Sequence, residues 1–436
     1  MRGEEVAELV GGKLMGSPSR VSSFHFDSRE VGKGALFVPL KGRRDGHSFI
    51  EEAFKRGAVG SLTEKEFTVP PGKFAIKVSN AFEAFKKVAL YKRSKFSGTV
   101  VAVTGSVGKS TTKELLFHIF SPFFSTYRNK RSFNNEIGVT YTLSNLPSFS
   151  NLYIQEVGTN SPGEVSQLKA LVKPQVSVIT KVGIAHTEGF GSLEEIVREK
   201  FSLTDGVDLA VVPYQFSDYS KAKETITFGE EGNVRLVSLD LTSRGSFFTV
   251  EAFGEEVTFK SPVPGYSVVN STLVGVAVSR FLGVSLKELP FLVETFTPPS
   301  GRLKVEDYGS TILIDDSYNA NPASFENAIK VLSLFPKERV AVVGQMLELG
   351  PYSREEHRKL ALLLEKAGVS LLVAYGKEAY YTYEAFNGKK FYFSEREELL
   401  SFFREFPLYG RVILVKGSRG NRLEEVCEII RERLKS

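Results

Sequence analysis

Val100-Val101-Ala102-Val103-Thr104-Gly105-Ser106-Val107-Gly108-Lys109-Ser110-Thr111-Thr112-Lys113-Glu114 decides how the rest of this chain is read. Its β-branched apolar start reads as a buried strand, and two glycines then turn the backbone into a helix opening at Lys109. Gly105 and Gly108 let successive N–H groups curl toward a phosphate. The helix N-terminus adds partial positive charge there, and Lys109 adds a full one. Ser110 or Thr111 can offer a hydroxyl to a magnesium ion on that phosphate. The chain is therefore expected to bind ATP or GTP. A full Walker A loop would carry glycine where Val103 stands, so the motif is the shorter G-x-x-G-K-S.

Working outward, 436 residues are too many for one core and imply two to four domains. A hydrophobic share of 42% with 25% charged residues is ordinary for a soluble globular protein. The net charge of +5 is mild and spread along the chain, which suits an anionic small molecule and gives no nucleic-acid signature. Cys427 is the single cysteine, so no internal disulfide is expected and a reducing compartment fits. Charge at Arg2, Glu4 and Glu5 argues against a signal peptide, and no apolar run is long enough for membrane insertion. A cytoplasmic enzyme is expected, and nothing demands an assembly beyond a monomer.

Residues 1–97 alternate apolar runs (Ala35 to Leu40, Val59 to Leu62, Phe74 to Val78) with Gly-rich turns, as a small α/β domain does. Residues 98–299 continue from the phosphate loop with strands near Asn151 to Val157, Val176 to Lys181 and Val207 to Pro213, helices between them, and an antiparallel insertion over 225–262. Strand–helix alternation implies a parallel sheet. Thr297-Pro298-Pro299-Ser300-Gly301 reads as a linker, and 300–436 as a third, Rossmann-like α/β domain.

Ligands in open α/β sheets sit beyond the carboxyl ends of strands. Glu156 ends one such strand and reads either as an exposed carboxylate or, one strand after a phosphate loop, as a magnesium ligand. His186 follows the next strand and a glycine turn; Lys200 reads from the residues alone as a solvated helix lysine. In the last domain, Asp315-Asp316-Ser317-Tyr318-Asn319-Ala320-Asn321-Pro322 closes a buried strand with carboxylates and amides. Gly344 to Gly350 and Val415-Lys416-Gly417-Ser418-Arg419 are strand-to-loop segments as well. Polar strand ends gathered this way suggest a second substrate clamped between domains.

Together these motifs resemble the Mur ligase family, ATP-dependent amide-forming enzymes of peptidoglycan precursor synthesis, from Asp27 to Arg419. The resemblance implies ATP contacts from Thr104, Gly105, Ser106, Val107, Gly108, Lys109, Ser110, Thr111, Asn270, Arg302 and Asp316. It implies two Mg2+ ions held by Ser110, Glu156, His186 and Lys200, with Lys200 carried as a carbamate, and a catalytic set of Lys109, His186, Lys200 and Arg302. Asp315 to Pro322 resembles the D-D-x-Y-N-A-N-P signature of the branch that joins D-alanyl-D-alanine to UDP-MurNAc-tripeptide. The branch adding the third residue would show Ser-Ser-His after Glu156 and an Asp-Asn-Pro-Arg segment, and neither is present. By the same resemblance the UDP substrate meets Ser28, Arg29, Arg43, Asp45, His47, Asn134, Asn135 and Thr159. The dipeptide meets Tyr318, Asn319, Asn321, Ser418 and Arg419. Tyr266-Ser267 stands where the family often has His-Asn, and Ala35 where Asp is frequent. A folylpolyglutamate or cyanophycin type of ligase would share the phosphate loop but not the D-D-x-Y-N-A-N-P stretch. A P-loop kinase or NTPase would need no amine, and a scaffold that merely binds nucleotide would show no turnover.

Overall fold

Three sheets carry the chain in the computed structural model, which describes residues 1–183 and 187–435. The first is built from β1 (Lys13–Gly16), β2 (Ser23–His25), β3 (Ala35–Phe37), β4 (Gly60–Thr63) and β5 (Phe74–Lys77). They run in the order β1-β5-β4-β3-β2, with only β1 antiparallel to its neighbour. Successive residues point to opposite faces, so Leu36 joins one apolar cluster with Phe74, Ile76 and Phe85, while Ala35 and Phe37 join Ile50, Ala53 and Phe54 on the other. Burial on both faces is why these strands read as continuous apolar runs.

The second sheet comprises β6 (Thr99–Thr104), β7 (Thr126–Arg128), β8 (Leu152–Glu156), β9 (Val176–Ile179), β10 (Leu209–Pro213), β11 (Glu224–Gly229), β12 (Val234–Thr242), β13 (Gly245–Ala252) and β14 (Glu255–Ser261). Their order is β14-β13-β12-β11-β10-β9-β6-β8-β7. The expected antiparallel segment is present as β12, β13 and β14, but it begins later than the pattern suggested. Residues of β11 pair parallel to β10 and extend the parallel sheet, because Ile226 and Phe228 are buried there.

The third sheet holds β15 (Lys304–Asp307), β16 (Ile312–Asp316), β17 (Glu338–Gly344), β18 (Val369–Tyr375), β19 (Lys389–Phe393) and β20 (Arg411–Lys416), in the order β15-β16-β20-β17-β18-β19. It is parallel except at β15. Ile312, Ile314, Ala341 and Val343 face one helical layer; Leu313, Val340 and Val342 face another.

By compactness the chain divides into two units: Met1–Val101, Phe124–Val157 and Gln167–Pro174; and Ala102–Phe123, Gly158–Ser166 and Gln175–Ser436. Among the described residues no helix is long and apolar enough to cross a membrane.

Candidate active site

The phosphate loop is assembled by β6, its turn and the helix Lys109–Phe120. Gly105 takes φ 150° and Gly108, at the helix N-cap, takes φ 88°, both outside what an L side chain prefers. Thr180, just after β9, braces the turn: its Oγ1 donates to the Val107 carbonyl at 2.7 Å and its N–H to the Thr104 carbonyl at 2.8 Å. The N–H groups of Ser106 and Val107 donate to the Lys181 carbonyl at 2.9 and 3.2 Å, so anion binding falls to the helix N-terminus that follows. Lys109 Nζ donates to the Gly105 carbonyl at 2.8 Å and so lies along the loop. Among the described residues, buried Thr104 Oγ1 has no hydrogen-bond partner, an orphan that a bound polar group would satisfy.

Gly105→Ala tests how tightly this turn is built. An added Cβ would lie 1.8 Å from Thr180 Oγ1, whereas a Cβ at Gly108 meets nothing within 4 Å. Gly105→Ala is expected to cost about 2–4 kcal/mol, from the clash and the backbone together. Gly108→Ala is expected to cost about 1 kcal/mol from the backbone alone. Thermal midpoints of the two variants, measured side by side, check the ranking.

Residues just before β15 and just after β16 reach the same loop within one compact unit. Arg302 Nη2 donates to Ser110 Oγ at 2.9 Å, and Asn321 Nδ2 donates to the Ser106 carbonyl at 3.2 Å. The Arg302 guanidinium stacks 4.0 Å from the centre of the Tyr318 ring, with Arg419 5.1 Å from it. Asp316, ending β16, accepts from the Leu303 N–H (3.0 Å) and from buried Lys416 Nζ (2.6 Å), which also donates to the Asn319 carbonyl (2.9 Å). Burial pushes the Lys416 ammonium below its ordinary range, although Asp316 opposes this. Asn321 Oδ1 caps the helix Pro322–Ser333. Ser418 Oγ accepts the Leu347 N–H at 2.9 Å. Asn270 is half-buried on the helix Tyr266–Leu282, which Ser271 Oγ ties to Thr112 Oγ1 of the phosphate-loop helix at 2.9 Å.

Lys200 is not solvated: it is 2% exposed on the helix Leu193–Phe201. Burial first, and the Lys109 charge second, hold its amine well below the ordinary lysine range, with Glu199 partly offsetting them. Glu199 itself, missed in the sequence, anchors the loop after β8, accepting from the Gly163 and Val165 N–H groups at 2.8 Å each. In that loop Thr159 Oγ1 donates to the Ser161 carbonyl at 2.9 Å. His186 lies outside the described residues.

In the other unit, Glu156 is buried at the end of β8 and its Oε1 accepts from Asn134 Nδ2 at 2.8 Å. Asn135 caps the helix Glu136–Ser144. Ser28 is buried, and Arg29 is held bidentately by Asp27 at 2.9 and 2.7 Å. Asp45 accepts from His47 Nδ1 and Lys65 Nζ, both at 2.7 Å, and these bonds, Lys65 foremost, hold its carboxyl well below the usual range. His47 Nε2 in turn accepts the Glu64 N–H at 2.9 Å, while Arg43 is exposed. For magnesium, the described candidates offer a hydroxyl and a carboxylate, the hard oxygen donors that ion takes, so the donor chemistry fits.

Comparison with known proteins matches this arrangement. The Mur ligase middle domain model covers residues 103–279, and the Mur ligase glutamate ligase domain model covers 301–419. A UDP-N-acetylmuramoyl-tripeptide–D-alanyl-D-alanine ligase of Rickettsia prowazekii is 30% identical over 92% of this chain and 94% of its own length. This chain belongs to the Mur ligase family. Among solved structures of the family, MurF from Acinetobacter baumannii superposes with a TM-score of 0.87 at 27% identity, covering 99% of this chain and 98% of that one. MurF ligase from Thermotoga maritima in complex with ADP superposes at 0.82 and 29% identity, covering 95% and 98%. The fold expected of a Mur ligase, three sheet-bearing α/β regions with a phosphate loop in the middle one, is the fold found.

Proposed function

We propose that this Mur ligase joins D-alanyl-D-alanine to UDP-MurNAc-tripeptide with consumption of ATP, as a cytoplasmic monomer. The observation carrying this reading is that Arg302, just before β15, and Asn321, just after β16, hydrogen-bond directly to the phosphate loop. A kinase or simple NTPase has no need of a second α/β sheet engaged with its phosphate loop; an enzyme uniting an activated acid with an amine does.

A carboxylate is a poor electrophile toward an amine in water, and ATP supplies the activation. The tripeptide carboxylate attacks the γ-phosphorus, forming an acyl phosphate and releasing ADP. The dipeptide amine then attacks the acyl carbon, loses a proton, and phosphate departs. In this reading Lys109 and Arg302 offset charge on the phosphates, and the N-terminus of Lys109–Phe120 orients them. Asp316, fixed by Lys416 and the Leu303 N–H, holds the nucleotide side of the loop in register with the segment Tyr318 to Asn321. By the family resemblance Ser110, Glu156, His186 and a carbamylated Lys200 are the candidate magnesium ligands; the ion, when bound, would supply Lewis-acid charge neutralisation between two anions. The buried, depressed Lys200 amine supports this assignment, since an uncharged amine is what a carbamate forms from.

The expected result is phosphate release that requires both UDP-MurNAc-tripeptide and D-alanyl-D-alanine. Release at an equal rate with ATP alone would sink the ligase reading.

A further inference from the structure

His357 is fully buried on the helix Ser353–Lys366, and no step of the proposed reaction uses it. Its ring is held from both sides. Nδ1 lies 2.8 Å from the Ser353 carbonyl, which can only accept, and Nε2 lies 3.0 Å from the Met346 N–H, which can only donate. Those partners fix the tautomer: the proton sits on Nδ1, and the Nε2 lone pair takes the Met346 N–H. Burial, the largest influence on the ring, keeps it on the neutral side of its ordinary value, although the Ser353 carbonyl, Glu378 and Glu356 pull the other way. Thr382 Oγ1, on the helix Tyr380–Ala385, donates to the His357 carbonyl at 2.9 Å and fixes the backbone as well.

Met346 sits in the loop that follows β17. This loop meets two others, because β16, β20 and β17 are parallel neighbours and their carboxyl ends lie side by side. Hydrogen bonds cross that edge from loop to loop. The Leu347 N–H donates to Ser418 Oγ at 2.9 Å, the Ser418 N–H to the Gln345 carbonyl at 3.1 Å, and Ser418 Oγ to the Ala320 carbonyl at 3.4 Å. Asn421 accepts the Gln345 N–H at 3.2 Å and donates to the Gln345 carbonyl at 3.0 Å. Ala320 precedes Asn321, whose Nδ2 reaches the phosphate loop at the Ser106 carbonyl. The whole path from His357 to Ser106 lies within one compact unit. It has little slack: a Cβ at Gly344 would lie 2.9 Å from Asn421 Cγ, and one at Gly417 would lie 2.9 Å from Gly344 Cα.

Ligands of open α/β sheets sit beyond the carboxyl ends of strands, and this edge of the third sheet is the one bonded to the phosphate loop. An amine that attacks an acyl phosphate at that loop has these strand ends beside it. Resting on the function proposed above, we infer that His357 is a positioning residue for the dipeptide, setting the loop after β17 against Ser418 by accepting the Met346 N–H. The ring itself touches no substrate. Without the acceptor, a buried N–H is left unpaired and the loop can shift away from Ser418.

The test measures dipeptide KM, ATP KM and kcat for wild type, His357→Gln, His357→Leu and His357→Asn. Glutamine can offer its Oε1 to the Met346 N–H, leucine offers no acceptor, and the shorter asparagine keeps a donor for Ser353 but falls short of Met346. Leucine and asparagine are each expected to raise the dipeptide KM about tenfold, the scale of one unpaired buried donor, with ATP KM and kcat within about twofold. Glutamine should bring the dipeptide KM back to within about threefold of wild type. Thermal midpoints identify the variants that fold, and a role in folding alone would not separate the two KM values. An unchanged dipeptide KM in either folded loss variant, equal rises in dipeptide and ATP KM, or no recovery with glutamine would overturn the inference and leave the ligase reading intact. Loss of fold in both loss variants would assign His357 to stability and overturn it too. Absence of dipeptide-dependent phosphate release in the wild type would sink the ligase reading, and this inference with it.

Discussion

Lys109→Ala is expected to lower kcat/KM for ADP formation by about 10³-fold, the size seen when one transition-state charge partner is removed from a preorganised site. The geometry sets this expectation. Lys109 begins the helix whose N-terminus is proposed to receive the phosphates, and its ammonium lies along the loop 2.8 Å from the Gly105 carbonyl. During phosphoryl transfer, charge grows on the γ-phosphoryl oxygens and on the departing β-phosphate, and a fixed cation there stabilises the transition state more than the ground state. Thermal midpoints measured beside the kinetics separate a lost charge from a lost fold. Lys109→Arg separates charge from shape: it keeps the cation but not the compact ammonium, and should recover only part of the loss. Steady-state kinetics on all three proteins decide the matter. An alanine variant with wild-type kcat/KM would remove the phosphate loop from the chemistry.

Much of the site was legible because some chemistry is written contiguously. The strand, two glycines and Lys109 stand in fifteen consecutive residues, and Asp315 to Pro322 carries its carboxylates and amides as one run closing β16. What escaped depends on partners far apart in the chain. Glu199 looks like any helix glutamate until the backbone N–H groups of Gly163 and Val165 turn to face it. Strands β15 and β19 are short, sit at the sheet edges and begin with lysine, so their patterns carry no buried alternation; pairing to a neighbour defines them. The parallel pairing of β11 was hidden for a related reason, since a half-buried strand shows the same alternation whichever way its neighbour runs. Lys200 is the sharpest case. The residues alone place it in solvent, family resemblance alone gives it a chemical role, and the fold alone shows it buried.

That burial has a consequence for stability as well as for chemistry. Replacing Lys200 with methionine is expected to reduce ligase turnover by about 10³-fold, on the scale of losing a charged group at the reacting phosphate, while raising the thermal midpoint near neutral pH. In the folded chain the amine is desolvated and repelled by Lys109, so its proton is held less tightly than in the unfolded chain, where the ordinary value of 10.5 applies. The unfolded state then binds more protons, and stability rises with pH between the depressed folded value and the unfolded one. Below the folded value the penalty of a buried cation is present in full. Methionine fills a similar volume without charge, removes that penalty and should flatten the rising limb of the stability–pH curve. The two readouts separate two roles. A lysine that only fills space predicts a methionine variant that is more stable and still active. A lysine that forms a carbamate, its nitrogen bonding to the carbon of CO2 and releasing one proton, predicts an inactive variant whatever its stability. On the second account, wild-type turnover should fall in CO2-stripped buffer and return with bicarbonate, and short carboxylic acids should partly rescue Lys200→Ala. Full turnover by the methionine variant would refute the carbamate and leave only the packing role.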